Sequence, residues 1–108
     1  MENMKNGHKR HIFIVSDATG QTAERVVDAA LRQFKTTEVI KKVIPHVRLT
    51  KKIQEVIDEA AGVDGIVIFT LVSPSARQEI TEMGRYQGVP TIDFTIKLIN
   101  PSRKRLPM

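Results

Sequence analysis

Short apolar, β-branched runs alternate with stripes of helical period along this chain, and that alternation limits the fold more than any other feature. His11-Ile12-Phe13-Ile14-Val15 is a continuous apolar run, the pattern of a strand covered on both faces. From Gln21 to Phe34 the apolar positions are Ala23, Val26, Val27, Ala30, Leu31 and Phe34, one face of a helix. Val39 to Ile44 predicts a second strand, made edge-like by Lys41 and Lys42 and ended by Pro45. Thr50 is the expected cap of a second helix with the stripe Ile53, Val56, Ile57, Ala60 and Ala61, closed by Gly62. Ile66-Val67-Ile68-Phe69 is a third two-sided strand. Ser73-Pro74 then starts a helix to about Tyr86, with Ala76, Ile80 and Met83 inward. Gly88-Val89-Pro90 turns into a fourth strand near Thr91 to Ile96. The expected fold is β-α-β-α-β-α-β: an open parallel α/β sheet of about four strands with flanking helices and right-handed crossovers, flavodoxin- or Rossmann-like. The expected organisation is a polar tail over 1–10, the α/β domain over 11–96, and a basic tail or the start of a further domain over 97–108.

Composition narrows the function classes. With 108 residues and 41% hydrophobic content there is material for one core. The absence of cysteine excludes disulfides and thiolate metal sites. Apolar runs such as Gly65 to Val72 are far too short to cross a bilayer, and the polar start does not read as a secretory signal, so a cytoplasmic protein is expected, with no membrane partner. The net charge of +5 raises the question of nucleic acid. Lys5, Lys9 and Arg10 against Glu2 give +2 at one end, and Lys97, Arg103, Lys104 and Arg105 give +4 at the other, leaving the body near neutral. Positive charge confined to the ends, with few aromatics among it, speaks for solvated tails and against a nucleic-acid surface.

In open parallel sheets ligands bind beyond the carboxyl ends of the strands, near a switch in strand order. The first such end is Ser16-Asp17-Ala18-Thr19-Gly20-Gln21-Thr22. Gly20 permits a tight turn, the following helix directs free N–H groups at the loop, and Ser16, Thr19 and Thr22 add hydroxyl donors suited to phosphate oxygens. Asp17 is part of the same candidate loop. The bland alternative is that Asp17 or Thr19 caps the helix and Ser16 bonds the local backbone. A second strand end, Thr70 to Arg77, offers Thr70, Ser73 and Arg77. A cation near a helix N-terminus opposes the helix dipole; a bound anion, or pairing with Glu24 or Asp17, would relieve it. Asp93 is the candidate at the fourth strand end.

Other sites are excluded. There is no G-x-x-x-x-G-K-[ST], and Gly20 lacks partners for a dinucleotide G-x-G-x-x-G. A receiver domain would need clustered acids after the first strand, where Asp17 stands alone. His8, His11 and His46 lack metal-ligand spacing, so no metal is expected.

The run Ile12-Phe13-Ile14-Val15-Ser16-Asp17-Ala18-Thr19-Gly20-Gln21-Thr22-Ala23-Glu24 resembles the opening motif of the pyruvate, phosphate dikinase regulatory protein family, which includes the phosphoenolpyruvate synthase regulatory proteins. Gln33-Phe34, Phe69-Thr70-Leu71-Val72 and Gly88-Val89-Pro90-Thr91-Ile92-Asp93 resemble its later N-terminal blocks in the same order, so the resemblance covers about residues 11 to 95. It implies a bifunctional protein: an ADP-dependent kinase that inactivates the dikinase or synthase on a threonine, and a phosphate-dependent phosphorylase that releases pyrophosphate. ADP and phosphate are thus implied for the full-length family, and pyruvate, phosphate dikinase or phosphoenolpyruvate synthase as partner. The family's lysine-containing P-loop lies in a C-terminal domain and is absent here, so the resemblance is to the N-terminal domain alone, as a fragment or a naturally short protein. The last dozen residues depart from the family's pattern. Two other classes stay open: a non-catalytic phosphate- or nucleotide-sensing module, and an oligomerising half-domain that makes homo-oligomer contacts.

Overall fold

The computed structural model describes residues 9–33 and 38–95. Four strands, β1 (Arg10–Ser16), β2 (Val39–Ile44), β3 (Ile66–Thr70) and β4 (Thr91–Asp93), alternate with three helices, α1 (Gln21–Leu31), α2 (Thr50–Gly62) and α3 (Pro74–Gln87). All strand pairs are parallel, in the order β2-β1-β3-β4. This is the Rossmann-like α/β arrangement that the alternation called for. The chain steps from β1 outward to β2, then crosses back to β3, so the strand order reverses between β1 and β3. Their last residues, Ser16 and Thr70, lie opposite each other in register.

The pleat sorts the apolar runs onto two faces. Phe13, Val15, Val67 and Phe69 point to one face and pack with Ile53, Val56, Ile57 and Ala60 of α2 and Ile80 of α3. Ile14 and Ile68 point to the other face, where α1 is the one helix among the described residues that packs, through buried Ala23 and Val27, with Phe94 beside it. Burial of a residue such as Phe69 or Ile14 contributes roughly 1.5–3 kcal/mol. β2 is pinned from both sides. Lys41 reaches Glu24 and Asp28 of α1, and Lys42 reaches Glu59 of α2. The hydrogen bonds from Lys41 to Asp28 and Glu24 raise its pKa above the ordinary lysine value.

Several local expectations need correction. Val26 and Ala30 are exposed, because a single helix on that face meets the sheet along a narrow stripe. Phe34, Ile96 and the tails 1–8 and 97–108 lie outside the described residues. α1 is assigned to Leu31, short of Phe34. Ala61 faces solvent. Leu49 occupies the N-cap of α2, so Thr50 is the first helical residue, and its hydroxyl donates instead to Glu79 of α3 at 2.9 Å. Gly62 is still helical; Val63 is the C-cap, and Asp64 takes the left-handed turn with φ 58°.

Candidate functional site

The β1–α1 loop sits at the reversal in strand order and is held from two sides. His46 and Val47 donate their amides to the carbonyls of Ala18 and Ser16 at 2.8 and 2.9 Å. Arg48 donates its guanidinium to the carbonyl of Asp17 at 2.9 Å. Three successive carbonyls of the loop are thus engaged by three successive residues after β2. On the β3 side, the Asp17 carboxylate accepts the Val72 amide at 2.8 Å. With the carbonyls of residues 16–18 engaged, the loop presents N–H groups, hydroxyls and the Asp17 carboxylate to the cleft.

Gly20 is the N-cap of α1 with φ 81° and, lacking a side chain, makes no cap hydrogen bond of its own. The turn requires glycine twice over: the backbone is left-handed, and a Cβ would lie 2.9 Å from Val43 Cγ1. Glu24 makes the first intrahelical bond, to Gly20 O. Gln21 N–H donates to Thr19 Oγ1 at 3.3 Å. The amides of Thr22 and Ala23, like those of any first turn, have no partner within the helix. A cleft of about 280 Å³ opens over them, lined by residues 16–23 together with Thr70 and Val72.

The expected site residues fall into two groups. Ser16, 2% exposed, accepts the Ala18 amide at 2.9 Å, as the bland alternative had it, and keeps its own O–H to donate. Thr19, Gly20 and Thr22 line the cleft, as does Thr70 at the end of β3. Asp17 borders the cleft but caps neither its own helix nor any other; it binds the β3–α3 loop. Ser73 is the N-cap of α3, accepting the Ala76 amide at 3.2 Å. Arg77 donates to the carbonyls of Leu71 and Val72 at 2.9 and 3.0 Å, and its Nε lies 3.8 Å from Asp93. Asp93 also accepts the Thr95 amide at 2.7 Å. Ser73 and Arg77 therefore stand at a separate helix end, outside the lining of the α1 cleft. Among the described residues no group of three His, Asp or Glu side chains is placed to hold a metal ion, and no helix is long and apolar enough to cross a membrane.

Arg48 and Thr95 are the contributors that reading along the sequence missed. Arg48 follows the carboxyl end of β2, where Pro45-His46-Val47-Arg48 offered a basic residue beside a strand end. Thr95, 2% exposed, holds the Leu71 amide at 2.9 Å, and nothing local marks it. Among the described residues no lysine or arginine lines the α1 cleft. What the described lining offers an anion is a helix N-terminus and the hydroxyls of Ser16, Thr19, Thr22 and Thr70, with the Asp17 carboxylate at its border and no balancing cation among the described residues.

A profile of a family described as kinase/pyrophosphorylase matches residues 12–108. The match extends through the last dozen residues, which the sequence pattern had set apart from the family. A pyruvate, phosphate dikinase regulatory protein of Listeria monocytogenes serovar 1/2a is 39% identical over 82% of this chain and 32% of its own length. Its counterpart in Geobacter metallireducens is 35% identical over 87% of this chain and 35% of its own length. One from Sinorhizobium fredii is 34% identical over 97% of this chain and 41% of its own. The chain thus spans about a third of the length of the curated relatives it matches.

Proposed function

Because this chain belongs to the kinase/pyrophosphorylase family, we propose that it is the N-terminal domain of a bifunctional regulatory serine/threonine kinase and phosphate-dependent phosphorylase. Its target is pyruvate, phosphate dikinase or phosphoenolpyruvate synthase, the former being the enzyme in the names of its relatives. The observation that supports this reading is the uncapped N-terminus of α1. It opens, beside the hydroxyls of Ser16, Thr19 and Thr22, onto a cleft where the strand order reverses.

The two directions of the reaction share one demand. In the forward direction ADP gives up its terminal phosphoryl group to a threonine hydroxyl, which loses its proton, and AMP leaves. In the reverse direction an oxygen of orthophosphate attacks the phosphothreonine phosphorus. The bond to the threonine oxygen breaks, that oxygen regains a proton, and pyrophosphate leaves. Both steps require a phosphate group to be held in line with the transferring phosphorus, and catalysis is mostly positioning and charge neutralisation. The loop from Ser16 to Thr22 serves the positioning half of that task. Its volume of about 280 Å³ lies just below the range of roughly 300–1,000 Å³ usual for drug-sized ligands, and suits phosphate or pyrophosphate better than a whole nucleotide. Neutralisation falls to groups outside the cleft lining, in keeping with the absence of a P-loop lysine from the sequence.

Calorimetry of this chain with phosphate, pyrophosphate and ADP tests the reading. Weak binding of pyrophosphate and phosphate is expected, with ADP no tighter than pyrophosphate. Binding of none of the three would overturn it. The chain alone is also expected to give no turnover with ADP and the target enzyme; measurable kinase activity would show that charge neutralisation is complete without a P-loop.

A further inference from the structure

The main chain of Leu71 and Val72, just past β3, ends entirely on side chains. The Leu71 amide donates to Thr95 Oγ1 at 2.9 Å and the Val72 amide to Asp17 Oδ2 at 2.8 Å. Arg77 donates to both carbonyls, at 2.9 and 3.0 Å. Both N–H groups and both carbonyls of two consecutive residues are therefore fixed by side chains from two other strand ends, Asp17 after β1 and Thr95 after β4, and from the first turn of α3, Arg77. Arg77 is in turn steadied by Asp93, 3.8 Å away. Surface loops commonly leave such groups to water. The core does not need this arrangement, because Leu71, 1% exposed, already anchors the end of β3. Val72 is different: it is 62% exposed, and it lines the cleft together with the first residues of α1.

We propose that Asp17 and Arg77 are positioning residues for the cleft, setting its Val72 wall and turning the Val72 carbonyl onto Arg77 and off a bound anion. Carbonyl oxygens carry partial negative charge and repel a phosphate held close to them. Arg77 lowers that repulsion by taking the Val72 carbonyl. Asp17 contributes by taking the Val72 amide, although its own charge beside an anion is unfavourable. This inference rests on the phosphate reading of the cleft.

The two roles of Asp17 pull in opposite directions, and that makes the proposal testable by pyrophosphate titration of the folded chain followed by NMR. If Asp17 acted only through its charge, Asp17→Ala would tighten pyrophosphate binding. As a positioning residue, Asp17→Ala weakens it about fivefold, the equivalent of one net hydrogen bond. Asp17→Asn keeps an acceptor for Val72 N–H and sheds the charge, so it restores or exceeds native affinity. Arg77→Met weakens binding to a similar degree and moves the Val72 amide resonance in the ligand-free protein. The combined Asp17→Ala/Arg77→Met variant loses less than the two single losses together, because both act through one loop. Tighter binding by Asp17→Ala, or unchanged binding by Arg77→Met, would overturn the proposal and leave the phosphate reading standing. Should Asp17→Ala fail to fold, Asp17→Asn and Arg77→Met decide alone: weaker binding by the first or native binding by the second overturns it. Native protein that does not bind pyrophosphate would remove the phosphate reading and this inference together.

Discussion

The two strand-to-helix loops at the reversal in strand order look alike in the sequence and differ in one physical respect. After β3, Ser73 accepts the Ala76 amide and Pro74 opens the helix, so α3 begins with its own cap in place. After β1, Gly20 opens α1 in a left-handed conformation with no side-chain cap. At α3 the Ala76 amide is taken by the cap residue itself; at α1 the Gln21 amide bonds Thr19, and those of Thr22 and Ala23 are left to solvent or a ligand. Helix N-termini attract anions in proportion to what remains unsatisfied there. Hydroxyl-rich loops in α/β proteins are therefore worth separating by where their hydroxyls bond, since composition alone ranks these two together.

The largest way to break this contrast is at the glycine that creates it. Gly20→Ala meets both left-handed strain and the approach of Val43 Cγ1, and is expected to cost about 2–4 kcal/mol in urea unfolding. Gly88→Ala is its control: φ is 75° but nothing lies within 4 Å of the place a Cβ would take, so strain alone applies, roughly 1–2 kcal/mol. Equal losses at the two positions would mean that contact with Val43 has no part in fixing the loop. Next in size, Ser73→Ala removes the α3 cap and is expected to cost about 1 kcal/mol while leaving pyrophosphate binding unchanged. A large drop in binding would erase the distinction between the two loops.

The smallest expected effect concerns β2, whose following residues hold the β1–α1 loop. The pKa of Lys41 is raised in the folded state by Asp28 and Glu24. Its stabilisation is therefore fully present below its ordinary value of 10.5 and is lost as pH rises through the higher folded value. Lys41→Met should destabilise by less than about 1 kcal/mol at neutral pH, given solvent screening of this half-exposed cluster, and the difference from the native chain should vanish at strongly alkaline pH. A difference that persists undiminished there would assign the effect to packing of the lysine stem.

The sheet and its helices were legible because two-sided strands and one-sided helices leave distinct periodicities, as in Ile66–Phe69 against Ile53–Ala60. The position of the β1–α1 loop followed from the same pattern. What the pattern did not reveal was which residues meet across the carboxyl edge. Arg77 lies in the first turn of α3, and only the packing of β4 beside β3 brings Asp93 toward it. Arg48 reaches Asp17, 31 residues earlier in the chain, because β2 lies next to β1. Thr50 reads as a cap by residue type, yet its place one position inside α2 sends its hydroxyl to Glu79. Such partnerships depend on strand order, which local pattern does not encode.

The central claim is that the N-terminus of α1, and not that of α3, receives a phosphate group. Titrating the ¹⁵N-labelled chain with pyrophosphate tests it most directly. Saturable shifts are expected for the amides of Gly20, Gln21, Thr22 and Ala23, with the Ala76 and Arg77 amides of α3 unmoved. Shifts confined to α3, or equal at the two helix ends, would contradict the claim.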